Sequence, residues 1–185
     1  LRVQSLFFNM ASIKLYIATS LDNFIASPDG DISWLVDFPN SEQSDYGYAD
    51  FLASVGVTIM GFKTYEYIAN MEPFPYIGKQ NFVFTHKTDI KNTPYVQFIR
   101  ENVADFVRNL KQTSTTDIWL IGGAQINTIL LENDLIDELI ITKLPIFIGQ
   151  GIPLFNPNNK LTNLQLVDNQ TFKNGMISLT YRFIK

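Results

Sequence analysis

The chain has 185 residues, 46% hydrophobic and 17% charged, which suits one well-packed domain and excludes a disordered polymer. A formal net charge of -4 argues against a surface built to follow a nucleic-acid backbone, so no nucleic-acid partner is expected. With no Cys and one His, His86, disulfides, thiolate chemistry and a multi-histidine metal centre are excluded, and no metal is expected.

No apolar run approaches the roughly 18 residues of a membrane span, and residues 1–10 lack the pattern of a secretory signal. The expectation is a cytoplasmic protein with no membrane partner. Residues 1–12 read as an N-terminal extension, with Met10 a candidate natural start, and residues 13–185 as a single domain.

Short apolar runs then alternate with helical patterns. Residues 13–19, 57–60, 81–85 and 118–121 are too uniformly apolar to be half-exposed strands, and they predict a mainly parallel sheet covered on both faces. Between them, 44–54, 62–69, 102–112 and 124–132 carry helical spacing, with Ser44 and Asn102 as N-caps. Past residue 135 the character changes. Residues 136–148 form a long strand-like run, and 161–172 and 176–184 are separated by Lys173-Asn174-Gly175, a hairpin signal. In the last strand Ile177, Leu179, Tyr181 and Phe183 alternate with polar residues, as expected when one face is buried. The fold class is therefore α/β, with a mostly parallel central sheet flanked by helices and an antiparallel hairpin at the C-terminus.

Four places after apolar strands carry residues suited to a dinucleotide, where ligands of open α/β sheets gather. Ala18 to Ala26 opens with small residues that leave room for a flat ring. Met60-Gly61-Phe62-Lys63-Thr64 starts a helix with a hydroxyl and an ammonium suited to phosphate. Thr85-His86-Lys87 offers a hydroxyl and positive charge, although such a pair in a loop is commonly just solvated. Ile121-Gly122-Gly123-Ala124-Gln125-Ile126 is a strand, a tight glycine turn and a helix start, which serves equally as an ordinary strand-to-helix connection or as a phosphate site. The glycine spacing is neither the common dinucleotide fingerprint nor a P-loop.

These residues together resemble the dihydrofolate reductase-like fold, and within it the branch of the riboflavin-biosynthesis reductase, the RibD C-terminal domain family. The resemblance runs from Ile13 onward and rests on Ser20-Leu21-Asp22 with Ile25-Ala26 and Trp34, on Met60-Gly61-Phe62-Lys63-Thr64-Tyr65-Glu66, on Ile121-Gly122-Gly123-Ala124, and most specifically on Gly149-Gln150-Gly151-Ile152-Pro153-Leu154-Phe155. It implies a stand-alone NADPH-dependent reductase that transfers hydride to a small heterocycle resembling a pterin, a pyrimidine or a flavin precursor. The alternative is a non-catalytic nucleotide-binding or sensory module on the same scaffold.

By position, Ala18 and Ile25 would flank the nicotinamide. Gly61, Phe62, Lys63 and Thr64 would hold the diphosphate, with Lys63 standing where relatives commonly place Arg. Thr85, His86 and Lys87 would meet the adenosine 2′-phosphate, while Ile121, Gly122, Gly123, Ala124, Gln125 and Ile126 would complete the cradle, whose Gly-Gly peptide is often cis. The resemblance also implies Asp45 as proton donor, with Asp50 or water as alternatives, Trp34 and Tyr46 as walls of a substrate pocket, and a homodimer paired through C-terminal strands.

Overall fold

The computed structural model describes residues 10–184, so the expected extension lies outside the described residues as far as residue 9. In chain order the first half comprises β1 (Ile13–Thr19), β2 (Phe24–Ala26), α1 (Ser33–Val36), α2 (Tyr48–Ser54), β3 (Val55–Gly61), α3 (Phe62–Ile68), β4 (Gln80–Phe84) and β5 (Val96–Ile99). The second half comprises α4 (Val103–Thr113), β6 (Asp117–Gly122), α5 (Ala124–Glu132), β7 (Glu138–Lys143), β8 (Ile152–Pro153), β9 (Leu164–Thr171) and β10 (Ile177–Phe183).

Eight strands form one sheet in the order β5-β4-β3-β6-β1-β7-β10-β9. The six from β5 to β7 are parallel, as their apolar runs predict, and β10 and β9 close the sheet in antiparallel fashion. Alternation along each strand sends its side chains to two cores. On one face Ile13, Leu15, Val57, Ile59, Ile118, Leu120, Leu139 and Ile141 pack against Val107 and Leu110 of α4 and Ile126 and Leu130 of α5. On the other, Met60, Val83 and Trp119 pack against Phe51 of α2, Ile68 of α3 and Tyr76. Burying an aliphatic side chain of this kind contributes about 1.5–3 kcal/mol, so the two layers account for the sheet's position between the helices.

Asn102 caps α4 as expected, its side chain accepting from the Asp105 amide at 3.1 Å. Asn174-Gly175 makes the hairpin between β9 and β10, with Gly175 at φ 88°. Ser44 does not cap a helix. Residues 46–47 form a turn, α2 begins only at Tyr48, and its N-cap is Gly47 at φ 80°. The cause is Asp45, whose carboxylate accepts the amides of Gly47 and Ala49, both at 3.0 Å, and so satisfies the first turn from outside it.

The apolar run 136–148 also shortens, giving the six-residue β7 followed by a loop. Leu144 is buried there, so apolar character persists beyond the strand without ladder pairing. The strands β2, β5 and β8 and the single-turn α1 lie in stretches whose periodicity is too short to read.

Candidate functional site

Because β4, β3, β6 and β1 are adjacent and parallel, their C-terminal ends line one edge of the sheet. All four candidate turns therefore emerge side by side. Between β1 and β6 the ladder stops early: Ile13 pairs with Ile118, Lys14 with Trp119 and Leu15 with Leu120, whereas β1 stays paired with β7 through Thr19. Beyond Leu15 the two central strands are not joined, and the Tyr16 carbonyl is taken by the Trp119 indole N–H at 3.1 Å. A cleft at the C-terminal edge follows, with Ala18 on the β1 side and the Gly122–Gly123 turn on the β6 side.

The walls of this cleft come close. A Cβ added to Gly123 would lie 3.6 Å from the Thr64 hydroxyl and 3.8 Å from Cδ1 of Ile25, and one added to Gly61 would lie 3.4 Å from Ile126. Thus Ile25, Thr64 and Gly123, read separately from three segments, converge on a space that a single methyl group would enter. Gly122 adopts φ 112°, a region that favours glycine, and the Gly122–Gly123 peptide is cis. Ala124 and Ile126 are buried and Gln125 is exposed, while Ile121 packs partly buried against the second core.

Cationic groups stand on the β3 and β4 side. Lys63 is exposed, and its ammonium has no hydrogen bond or ion pair among the described residues. Lys87 lies 4.0 Å above the Phe62 ring and 3.4 Å from the Glu66 carboxylate, which anchors the 85–87 loop to α3. Thr85 is buried and its hydroxyl accepts the Lys87 amide at 3.1 Å, and His86 is exposed. Arg100, which carried no signal in the sequence, holds the same loop by donating to the carbonyls of Lys87 at 2.8 Å and Ile90 at 2.6 Å. Lys63 and the amides at the start of α5 suit an anionic ligand lying across β3 and β6, beside the loop that Lys87 and Arg100 hold in place.

The residues expected around a substrate are placed less uniformly. Asp45 is exposed, and the amides of Ala49 and Gly47 hold its carboxyl below the usual range. It is ionised at neutral pH and lies within electrostatic reach of Tyr16. Asp50 is exposed in the first turn of α2. Tyr46 turns to the C-terminal hairpin, its ring edge-on to Phe172 at 4.9 Å and its hydroxyl accepting from Asn174 at 2.8 Å. The Trp34 indole N–H is shielded from solvent without a hydrogen-bond partner among the described residues.

Sequence reasoning passed over Tyr16. Two positions before Ala18 on the same face of β1, it stacks on Phe51 at 4.1 Å and meets Trp119 edge-on. Burial, with the nearby Asp45 and Tyr48, raises its pKa to about 12.

A second anchor is Asp22. Burial pulls its pKa up, but the Ser20 hydroxyl and the amides of Gly149 and Ile148 outweigh that and hold it below the ordinary value. The Ser20 bond, 2.6 Å long, lies within the turn between β1 and β2, and the amides of Gly149 and Ile148, at 2.7 and 3.2 Å, fasten the loop after β7 to it.

This geometry defines an α/β domain whose four candidate turns gather at the carboxyl edge of a mostly parallel sheet. The RibD C-terminal domain family matches residues 11–178, and the chain belongs to that family. It is 42% identical over 159 residues to the uncharacterized protein YwjB of Bacillus subtilis, covering 85% of this chain and 90% of that protein. It is 30% identical over 184 residues to the uncharacterized protein YyaP of the same organism, covering 92% and 94%.

Among solved structures, a putative riboflavin biosynthesis protein from Shewanella sp. PV-4 superposes with a TM-score of 0.83 at 26% identity, covering 94% of this chain and 99% of that one. The diaminohydroxyphosphoribosylaminopyrimidine deaminase/5-amino-6-(5-phosphoribosylamino)uracil reductase of Thermotoga maritima gives a TM-score of 0.71 at 15% identity, covering 95% of this chain and 57% of that one. The fold is dihydrofolate reductase-like, as the motifs imply. Among the described residues no helix is long and apolar enough to cross a membrane.

Proposed function

We propose that the protein is an NADPH-dependent reductase of a small heterocyclic substrate. The observation that carries this is the cleft between β1 and β6, where Ile25, Thr64 and Gly123 converge beside unpaired Lys63. A Cβ at 123 would reach contact with both Thr64 and Ile25, so the glycine keeps backbone open toward both walls, which supports close approach of a flat ring and a diphosphate. Lys63, Thr64 and the amides of α5 would hold the diphosphate, Thr85, His86 and Lys87 the adenosine 2′-phosphate, and Ala18 and Ile25 the nicotinamide. When bound, NADPH supplies the hydride.

The chain's own residues bind, orient and keep water from the ring. The accompanying proton goes to the substrate heteroatom from water, because Asp45 is ionised and committed to α2. Tyr16 stays protonated at neutral pH and offers a fixed donor beside Asp45 for a carbonyl or ring nitrogen of the substrate.

Titration with NADPH followed by fluorescence tests the cofactor. Saturable binding, stronger than for NADH, is expected, and no signal at millimolar NADPH would remove the proposal. The commitment of Asp45 to its helix favours one other reading, a nucleotide-binding module without turnover. Oxidation of NADPH across a panel of pterins, pyrimidines, flavins and quinones separates the two.

The assembly proposed is a homodimer. The edge strand β9 is exposed along its whole length, with Leu166 and Val167 at 47% and 46%. An eight-residue edge strand with one side unpaired among the described residues and Leu164, Leu166 and Val167 exposed is an association surface unless covered.

A further inference from the structure

Residues 151–156 bridge the segment 23–26 and the start of α5 as a strap fixed at both ends, with Leu154 buried between them. On the β1 side, β8 pairs with β2, and the Leu154 amide donates to the Asn23 carbonyl at 3.0 Å. On the β6 side, the Leu154 carbonyl accepts from Asn127 Nδ2 at 2.9 Å, and the Asn156 amide donates to the Thr128 hydroxyl at 2.8 Å. The Leu154 peptide is thus held by one wall through its N–H and by the other through its C=O.

Asn127 and Thr128 sit in α5, directly behind the glycine turn. The Asn127 amide donates to Gly123 O at 3.0 Å, and a Cβ on Gly122 would meet Asn127 Oδ1 at 3.2 Å. Asn127 is 0% exposed, so it touches no ligand in the cleft. Its Oδ1 has no hydrogen-bond partner among the described residues. A fully buried amide with an unsatisfied oxygen is a costly way to fill space between Ile126 and Leu130 of the same helix, so its worth lies in what Nδ2 holds.

We infer that Asn127 is a positioning residue: through Leu154 it sets the spacing between the nicotinamide wall, residues 23–26, and the diphosphate wall, residues 122–124. Thr128 reinforces it one residue further along the strap. The consequence for ligands depends on the cofactor proposed above, whereas the tie between the walls does not.

The test compares two probes in Asn127→Leu and Thr128→Val, each close to the native side chain in size. NADPH spans both walls, whereas adenosine 2′,5′-bisphosphate engages only the phosphate side. Loss of one hydrogen bond in the strap is expected to weaken NADPH about tenfold in Asn127→Leu and adenosine 2′,5′-bisphosphate less than about twofold. Thr128→Val should show the same split, and it carries the test if Asn127→Leu does not fold.

A general structural defect would weaken both probes alike, and equal losses or no loss in a folded variant would overturn the inference. If the wild-type protein binds no NADPH, the cofactor proposal fails and amide exchange decides. Faster exchange in both 152–156 and 24–26 supports the strap, while a change confined to 152–156, or none, overturns it.

Discussion

Single residues in this protein are constrained by what lies within a few ångströms of them. Gly151 is the sharpest case, because a Cβ there would fall 2.3 Å from the Ala26 carbonyl oxygen, a backbone atom that cannot rotate aside. Gly151→Ala is expected to destabilise the fold by about 1–3 kcal/mol in chemical denaturation, through overpacking at the β2–β8 pair. Asp45→Asn makes a different demand. A general acid contributes roughly 100-fold or more, so with the carboxyl already ionised the variant should lose less than about tenfold in kcat, and a larger loss would restore Asp45 as the donor.

Tyr16 bears on alkaline stability. Its pKa in the fold, about 12, lies above the ordinary 10, chiefly through burial and then through Asp45 and Tyr48. The folded state therefore prefers the protonated phenol. The corresponding stability is fully present below pH 10 and is lost as pH rises toward 12. Melting temperature against pH should fall more steeply over that window in wild type than in Tyr16→Phe. Tyr76, also raised by burial, keeps some slope in the variant.

Elements are joined by a few polar hubs that their own periodicity does not show. Asn81 is buried, accepts the Thr58 hydroxyl at 2.7 Å, and donates to the carbonyls of Tyr76, Lys79 and Tyr95, each at 2.9 Å. It thereby fastens β4 to β3 and to the segments entering β4 and β5. Asn81→Leu should cost more than about 2 kcal/mol in urea unfolding, since several buried polar groups lose their partner at once. The same limit explains how the elements read from sequence. Long runs such as 62–69, 102–112 and 118–132 carry enough period to be recognised, and the structure places α3, α4, β6 and α5 there. The two-residue β8 and three-residue β2 exist only because each has the other to pair with. The start of α2 shifts to Tyr48 because a carboxylate outside the helix caps it.

At the scale of the molecule, the parallel run of β5 to β7 brings four distant turns to one edge, and the antiparallel β10 and β9 leave an exposed border at the other side. Sedimentation should show a dimer for the native chain. Leu166→Lys, which puts a charge on the outer strand, should shift it to monomer with little change in melting temperature. An unaltered dimer would locate the interface elsewhere.

That the long apolar runs are strands, where the glycine turns fall and which family the chain resembles were legible in the sequence, because they depend on neighbours within a few residues. Gly61, Lys63, Thr64, Gly122 and Gly123 were singled out on that basis. The adjacency of β1 and β6, the early end of their ladder, the commitment of Asp45 to α2 and the hold of Asn127 on Leu154 were not legible. Each joins groups whose meeting depends on strand order and packing, as when the Ser12 amide reaches Asp117, 105 residues away. Local chemistry determined the parts of the candidate site, and tertiary structure decided which parts face one another, because pairing across a sheet selects among partners that no local pattern distinguishes.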